Sequence, residues 1–283
     1  MKNILKKIFI NKFKSIFFML QNSNSNFLEI KNICFLIKKN GPLGKKGSTI
    51  FSRPDLIITP NLLKNGKWDY FIIEFINKYK KKLDYSFLDL GANIGLITRQ
   101  LILKKNIISN FHCIEPEENN FFLLQKNLQD FKKEKIFFYN IALKSNYQNL
   151  NKIFINKENF GDFSLIKSEK KCKFSNIKSV NVNEFLKKII SQNNIKNIIY
   201  KSDIQGMDEM VALAINNDIY CKIKIMILEI TNLNFVNQNL EKFLYIVKKF
   251  NIMCDENNRK LNLNNIKEKI KNKENFNLLL AKL

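Results

Sequence analysis

No apolar run in this sequence reaches the roughly 18 to 20 residues that a helix needs to cross a bilayer. There is no C-x-x-C pair either. The five cysteines (Cys34, Cys113, Cys172, Cys221 and Cys254) are odd in number and far apart. That argues against a disulfide framework and a zinc ribbon and fits a reducing, cytoplasmic setting. Arginine occurs only at Arg53, Arg99 and Arg259, and glycine (8), proline (4) and tryptophan (1) are scarce. Lysine, asparagine, isoleucine and phenylalanine take their place. With 48 basic and 25 acidic side chains, the formal net charge is +23. Such a charge first suggests nucleic acid or an anionic surface. Nucleic-acid sites, however, favour arginine for bidentate contacts. A shift that touches core and surface residue types alike reads as nucleotide bias in the coding sequence, so no specific nucleic-acid partner is expected.

The 283 residues are 45% hydrophobic and 26% charged, a globular composition long enough for one large domain or a domain with an extension. Two parts are expected, 1–60 and 61–283. Residues 1–20 mix lysine with Ile, Phe and Leu at helical spacing. Two readings stand for them: a first helix packed on the domain, or an amphipathic helix in peripheral contact with an acidic (inner) membrane surface. Residues 21–26 read as a linker, and 27–37 as one or two short strands.

From about residue 61 the pattern becomes regular. Residues 68–82 predict a helix, 85–90 a buried strand and 94–104 a helix. Residues 111–115 predict a second strand, with a helix from Pro116 to about Phe131, and 136–143 a third strand. A hairpin or two is expected over 150–181 and a helix over 182–192. A fourth strand (198–204), a helix (206–216), a fifth strand (224–230), a helix (237–250) and a final strand (278–283) complete the pattern. Alternating strands and helices with near-continuous apolar strands mean an α/β fold, a mostly parallel sheet with helices on both faces. In such sheets ligands sit at the carboxyl ends of the strands. Each predicted strand supplies one polar residue there: Asp89, Glu115, Asn140, Asp203 and Glu229.

D-L-G-A-N-I-G at 89–95 joins the first strand to its helix. Its G-x-x-x-G spacing departs from the dinucleotide fingerprint G-x-G-x-x-G. An acid two residues before the first glycine is poor for a pyrophosphate and suits an ammonium or sulfonium ligand. Glu115 can accept hydrogen bonds from two ribose hydroxyls. Together these requirements describe S-adenosylmethionine, with its amine near Asp89.

F-L-D-L-G-A-N-I-G, C-I-E-P, N-I-A-L, N-F-G-D-F-S-L, Y-K-S-D-I-Q-G and I-L-E-I resemble the successive motifs of the FkbM-type methyltransferases. These are class I S-adenosylmethionine-dependent enzymes with a Rossmann-like fold, and they usually methylate hydroxyls of sugars, glycans or small metabolites. The resemblance spans roughly residues 60 to 283. It implies that Asp89, Gly91, Asn93, Gly95 and Glu115 bind the cofactor, with Asn140 near the adenine. The family's fourth-strand element usually ends D-x-E-G. Here it ends D-I-Q-G, with Gln205 in place of the glutamate, which puts any charged role of that position in doubt.

An acceptor hydroxyl must lose its proton during methyl transfer. The carboxylates Asp203 and Glu229 are the candidates. Asp203 could take the proton, or the pair could hold a divalent cation with Asn232. Lys201 either orients an oxygen or flanks the sheet. His112, the only histidine, reads as a packed strand residue. The competing class is a catalytically degenerate protein that uses its basic surface to bind membrane or nucleic acid.

Overall fold

The computed structural model describes residues 25–30, 33–38, 41–44, 48–104, 108–145, 151–155, 163, 173–231 and 239–282. The expected N-terminal helix over 1–20 lies outside them. The described residues form two compact units that meet in sequence between Trp68 and Asp69.

The first unit is an antiparallel sheet, β1 (Ser25–Ile30), β2 (Ile33–Lys38) and β3 (Thr49–Ser52), followed by helix α1 (Ile58–Asn65). Buried Asp55 starts that helix by accepting the Ile58 and Thr59 N–H groups at 3.1 and 2.8 Å. Gly66, at φ 63, ends it in the left-handed conformation that glycine adopts most cheaply.

The second unit runs through α2 (Tyr70–Tyr79), β4 (Tyr85–Leu90), α3 (Leu96–Leu103), β5 (Ile108–Ile114), α4 (Glu118–Leu128) and β6 (Lys135–Tyr139). Short strands follow: β7 (Ala142–Lys144), β8 (Lys152–Ile155), β9 (Lys173–Asn176) and β10 (Ser179–Asn181). Next come α5 (Val182–Asn193), β11 (Asn197–Ser202), α6 (Asp208–Ala214), α7 (Asn217–Tyr220) and β12 (Ile223–Ile230). The chain continues with α8 (Leu240–Val247), β13 (Ile252–Cys254), α9 (Leu263–Lys271) and β14 (Phe276–Ala281).

Seven strands form the central sheet in the order β13-β14-β12-β11-β4-β5-β6. The pairs β4–β5, β5–β6, β4–β11 and β11–β12 are parallel, and β14 runs antiparallel to both β12 and β13. This is a Rossmann-like sheet with one reversed strand near its edge, the class I methyltransferase topology. All six residues of β4 are buried, so both faces of the sheet are covered at its centre. The chain steps outward from β4 to β5 and β6, then returns to the other side of β4 at β11. The switch point therefore lies between the carboxyl ends of β4 and β11, where α/β sheets open a crevice.

The expected third strand over 136–143 is two strands. β6 ends at Tyr139, and β7 leaves the large sheet to pair with β10, its Ala142 N–H donating to the Lys178 carbonyl. The hairpin expected over 150–181 is present as β8 with β9. The helix expected from Pro116 starts later, with Glu117 as its cap.

Candidate active site

The carboxyl ends of β4 and β11 approach each other at backbone level. Asp203 N donates to the Leu90 carbonyl at 3.1 Å. A Cβ on Gly91 would lie 1.9 Å from the Asp203 carbonyl oxygen, and Gly91 has φ +69. Glycine is required here by the neighbouring strand end and by the left-handed turn. The Gly91 and Ala92 N–H groups both donate to the Ile114 carbonyl, tying the turn to the end of β5. Gly95, at φ +82, caps α3. A Cβ there would meet Leu124 at 2.7 Å, so this glycine lets α3 pack closely on α4.

Asp89 is fully buried. Its Oδ2 accepts from the Thr98 hydroxyl at 2.8 Å, and its Oδ1 lies 3.1 Å from Lys201 Nζ. Its charge is matched inside the protein, contrary to the expectation that it faces a ligand's ammonium. Lys201 is just as enclosed. Its ammonium donates to the Leu90 and Gly91 carbonyls at 3.3 and 2.8 Å and lies 4.0 Å from Asp203 Oδ2. Burial works against that charge, but the Asp89 and Asp203 carboxylates outweigh it and hold the ammonium above the usual lysine range. Lys201 thus braces the switch point from within and does not point at an acceptor.

Glu115 follows β5. Its Oε2 accepts the Asn93 N–H and its Oε1 the Glu117 N–H, both at 2.9 Å. Each oxygen keeps a lone pair, so the carboxylate can still accept two hydroxyl donors. Burial, reinforced by the nearby Glu117 charge, raises its pKa to about 7 against two backbone donors that pull it down. Asn93 adopts φ 50 to turn its N–H toward Glu115, and its own Oδ1 is buried without a hydrogen-bond partner. Asn140, just past β6, donates its side-chain amide to the Glu115 and Pro116 carbonyls at 3.0 and 3.1 Å. It pins the turn that carries Glu115.

Across the switch point stand Asp203 and Glu229. The Gln205 side-chain nitrogen donates to Asp203 Oδ1 at 2.8 Å and to Glu229 Oε2 at 2.7 Å. Burial and the nearby Asp203 charge push the Glu229 carboxyl far above the usual carboxylate range. Two further acids belong to this neighbourhood, and the sequence reading did not single them out. Asp69 precedes α2, and burial together with the Asp203 charge raises it to about 6. Buried Asp208 accepts from the Ser202 hydroxyl and the Ile204 N–H, and burial raises it to about 8. Asp69 left a trace in the sequence, an acid directly before an apolar helical run, but nothing in the spacing linked it to residue 203.

His112 is fully buried and stacked on Phe137 at 4.9 Å, and burial lowers its pKa to about 4. It is a packed strand residue. Among the described residues no group of three or more His, Cys, Asp and Glu side chains is arranged to hold a metal ion. Asn232 lies outside the described residues. No helix among them is long and apolar enough to cross a membrane.

No known family's sequence profile matches the chain, and no curated protein matches it. Several solved structures are similar in fold. An S-adenosylmethionine-dependent methyltransferase from Clostridium acetobutylicum is 13% identical with a TM-score of 0.39, over 77% of this chain and 91% of the other. M. capricolum TrmK in complex with S-adenosyl-homocysteine is 11% identical with a TM-score of 0.36, over 75% and 67%. Aeropyrum pernix fibrillarin with natively bound S-adenosyl-L-methionine is 5% identical with a TM-score of 0.35, over 90% and 98%. At such scores the likenesses carry no weight for chemistry. The fold class rests on the strand order and the reversed β14.

Proposed function

We propose that this chain is an S-adenosylmethionine-dependent O-methyltransferase of the FkbM type, acting on a hydroxyl of a sugar, glycan or small metabolite. The observation that carries this reading is the division of the switch point. Glu115, with an open lone pair on each oxygen, and the Gly91–Gly95 turn lie on one side. The Asp203–Glu229 pair lies on the other.

The donor set suits the cofactor. Glu115 is held by two backbone N–H groups, and each of its oxygens keeps a lone pair to accept a ribose hydroxyl. The unpartnered Asn93 Oδ1 is an acceptor lacking a donor, which an amine or hydroxyl supplies. Asn140 steadies Glu115 from the side the resemblance assigns to the adenine. Asp89 and Lys201 neutralise each other beneath the turn and act by keeping its shape. When bound, the cofactor supplies an electrophilic methyl group on a sulfonium sulfur.

On the acceptor side, Asp203 is one-third exposed and is the carboxylate within reach of an incoming hydroxyl. An acceptor hydroxyl must shed its proton as it becomes nucleophilic, and Asp203 would take that proton. Much of the acceleration in an in-line displacement of this kind comes from alignment. The enclosed switch point provides it by fixing Gly91 against Asp203.

Calorimetric titration with S-adenosylmethionine tests the cofactor, and one saturable site is expected. Absence of binding refutes the reading. Methyl-labelled cofactor offered with panels of hydroxylated sugars and metabolites then finds the acceptor. With that acceptor, Asp203→Asn is expected to keep cofactor affinity and lower single-turnover transfer by roughly 10²-fold or more. Wild-type turnover in this variant removes Asp203 from the chemistry.

A further inference from the structure

Gln205 holds a backbone conformation that glutamine seldom takes, φ 55, immediately before Gly206 at φ 97. A side chain at positive φ persists where its surroundings over-determine it. Here the amide nitrogen reaches both Asp203 Oδ1 and Glu229 Oε2, at 2.8 and 2.7 Å. Both acceptors are carboxyl oxygens, so the nitrogen faces them, because the amide oxygen would be repelled. The one –NH₂ group spends its two hydrogens on two carboxyls from the ends of adjacent strands.

A neutral amide orients two carboxylates but does not cancel their charge. Two carboxyl groups held this close do not both ionise near neutral pH. The surroundings break the tie. Lys201 Nζ lies 4.0 Å from Asp203 Oδ2, and the Asp203 side chain is 34% exposed. Glu229, half-buried at the end of β12, has the less favourable position, with Asp203 and Asp208 as its strongest charged neighbours. The charged groups around the pair are Lys201 from β11, Asp208 from α6 and Asp69 from the start of α2.

We propose that Gln205 is a positioning residue that clamps Asp203 and Glu229 into one pair sharing a single proton, with Glu229 holding the proton and Asp203 left as the free carboxylate. The use of the pair in methyl transfer rests on the function proposed above, but the pair itself is open to test without any acceptor or cofactor. The clamp also accounts for the glutamine. A glutamate at this position would remove the donor and add a third negative group.

The test is carboxyl NMR of the full chain carrying ¹³C-labelled Asp and Glu, titrated without ligand. Asp203→Asn and Glu229→Gln assign the two signals. Glu229 is expected to titrate above neutrality. Gln205→Met, close in length but without donors, is expected to move the Glu229 midpoint by about one pH unit or more, a tenfold change in its proton affinity. An ordinary Glu229 midpoint in the wild type, or one unmoved by Gln205→Met, overturns the proposal. Should Gln205→Met fail to fold, the wild-type protein still decides. The Gln205 side-chain NH₂ signals, labelled with ¹⁵N, are expected to shift with the Glu229 midpoint, and signals insensitive to it overturn the clamp. A clamped pair in a protein that does not bind S-adenosylmethionine would remove the methyltransferase reading and leave this one standing.

Discussion

At Gly91 two adjacent strand ends compete for the space of a single methyl group. The left-handed backbone costs roughly 1 to 2 kcal/mol for a residue with a Cβ, and that Cβ would stand 1.9 Å from the Asp203 carbonyl oxygen. Gly91→Ala is therefore expected to lower the melting temperature and the affinity for S-adenosylmethionine together, because the turn cannot hold its shape beside β11. A variant with wild-type melting and binding would show that the strand ends can part freely. Glu115 gives the second prediction at this scale. Burial raises its folded pKa to about 7, so the carboxyl changes charge near neutral pH. Ribose hydroxyls donate to the ionised form, so cofactor affinity should rise as pH increases through about 7 and fall up to tenfold per pH unit below it. Glu115→Gln should bind more weakly and without that dependence. Calorimetry across the range checks both, and a pH-independent wild type would place the ribose elsewhere.

Helix α4 shows how an element's start serves the site. Pro116 suggested its first turn, but Glu117 caps it, accepting the Asn120 N–H at 2.7 Å and the Asn119 side-chain amide at 2.8 Å. The Glu117 N–H in turn holds Glu115. Removing the cap with Glu117→Ala is expected to cost about 1 to 2 kcal/mol of stability and to weaken cofactor binding through the loosened Glu115. Chemical denaturation and calorimetry measure the two effects, and a variant that loses neither would mean the helix starts without its cap. The split of the third strand has a similar cause. Asn140 turns its amide toward the Glu115 and Pro116 carbonyls, and the chain leaves the large sheet before β7.

Across the whole molecule, buried acids set the pH response. Glu115, Glu209 and Asp208 have folded pKa values raised to about 7, about 7 and about 8, chiefly by burial. Such groups hold protons in the folded state that the unfolded chain has already released. Their contribution is fully present below the unfolded values near pH 4 and is lost as pH rises through the folded ones. The cofactor-free protein should thus lose melting temperature as pH rises from about 5 through about 8, and Glu229, raised further still, extends the loss beyond it. The one histidine, lowered from 6.5 to about 4, works the other way below about pH 6.5 and offsets one of these acids there. Asp208→Asn should flatten the upper part of the slope. A melting temperature that climbs over the same range would mean these carboxyls are ionised and paired.

The parallel sheet was legible in the sequence because its strands are apolar throughout. Y-S-F-L-D-L and I-L-E-I announce burial on both faces with a polar residue at one end, and the positions of Asp89, Glu115, Asn140, Asp203 and Glu229 followed from that local pattern. The weak edge elements were not legible. β13 has three residues, and α9 is mostly asparagine and lysine with only Ile266 and Ile270 buried. What each strand-end residue does was decided only in three dimensions. Asp89 and Lys201 lie 112 residues apart in sequence, yet they neutralise each other because β4 and β11 pair in register. Gly91 answers to a carbonyl from β11, and Gln205 joins two carboxyls from adjacent strands. A local pattern shows that a polar residue ends a strand. Whether its charge is spent inside or left for a ligand depends on which distant group the topology brings opposite it.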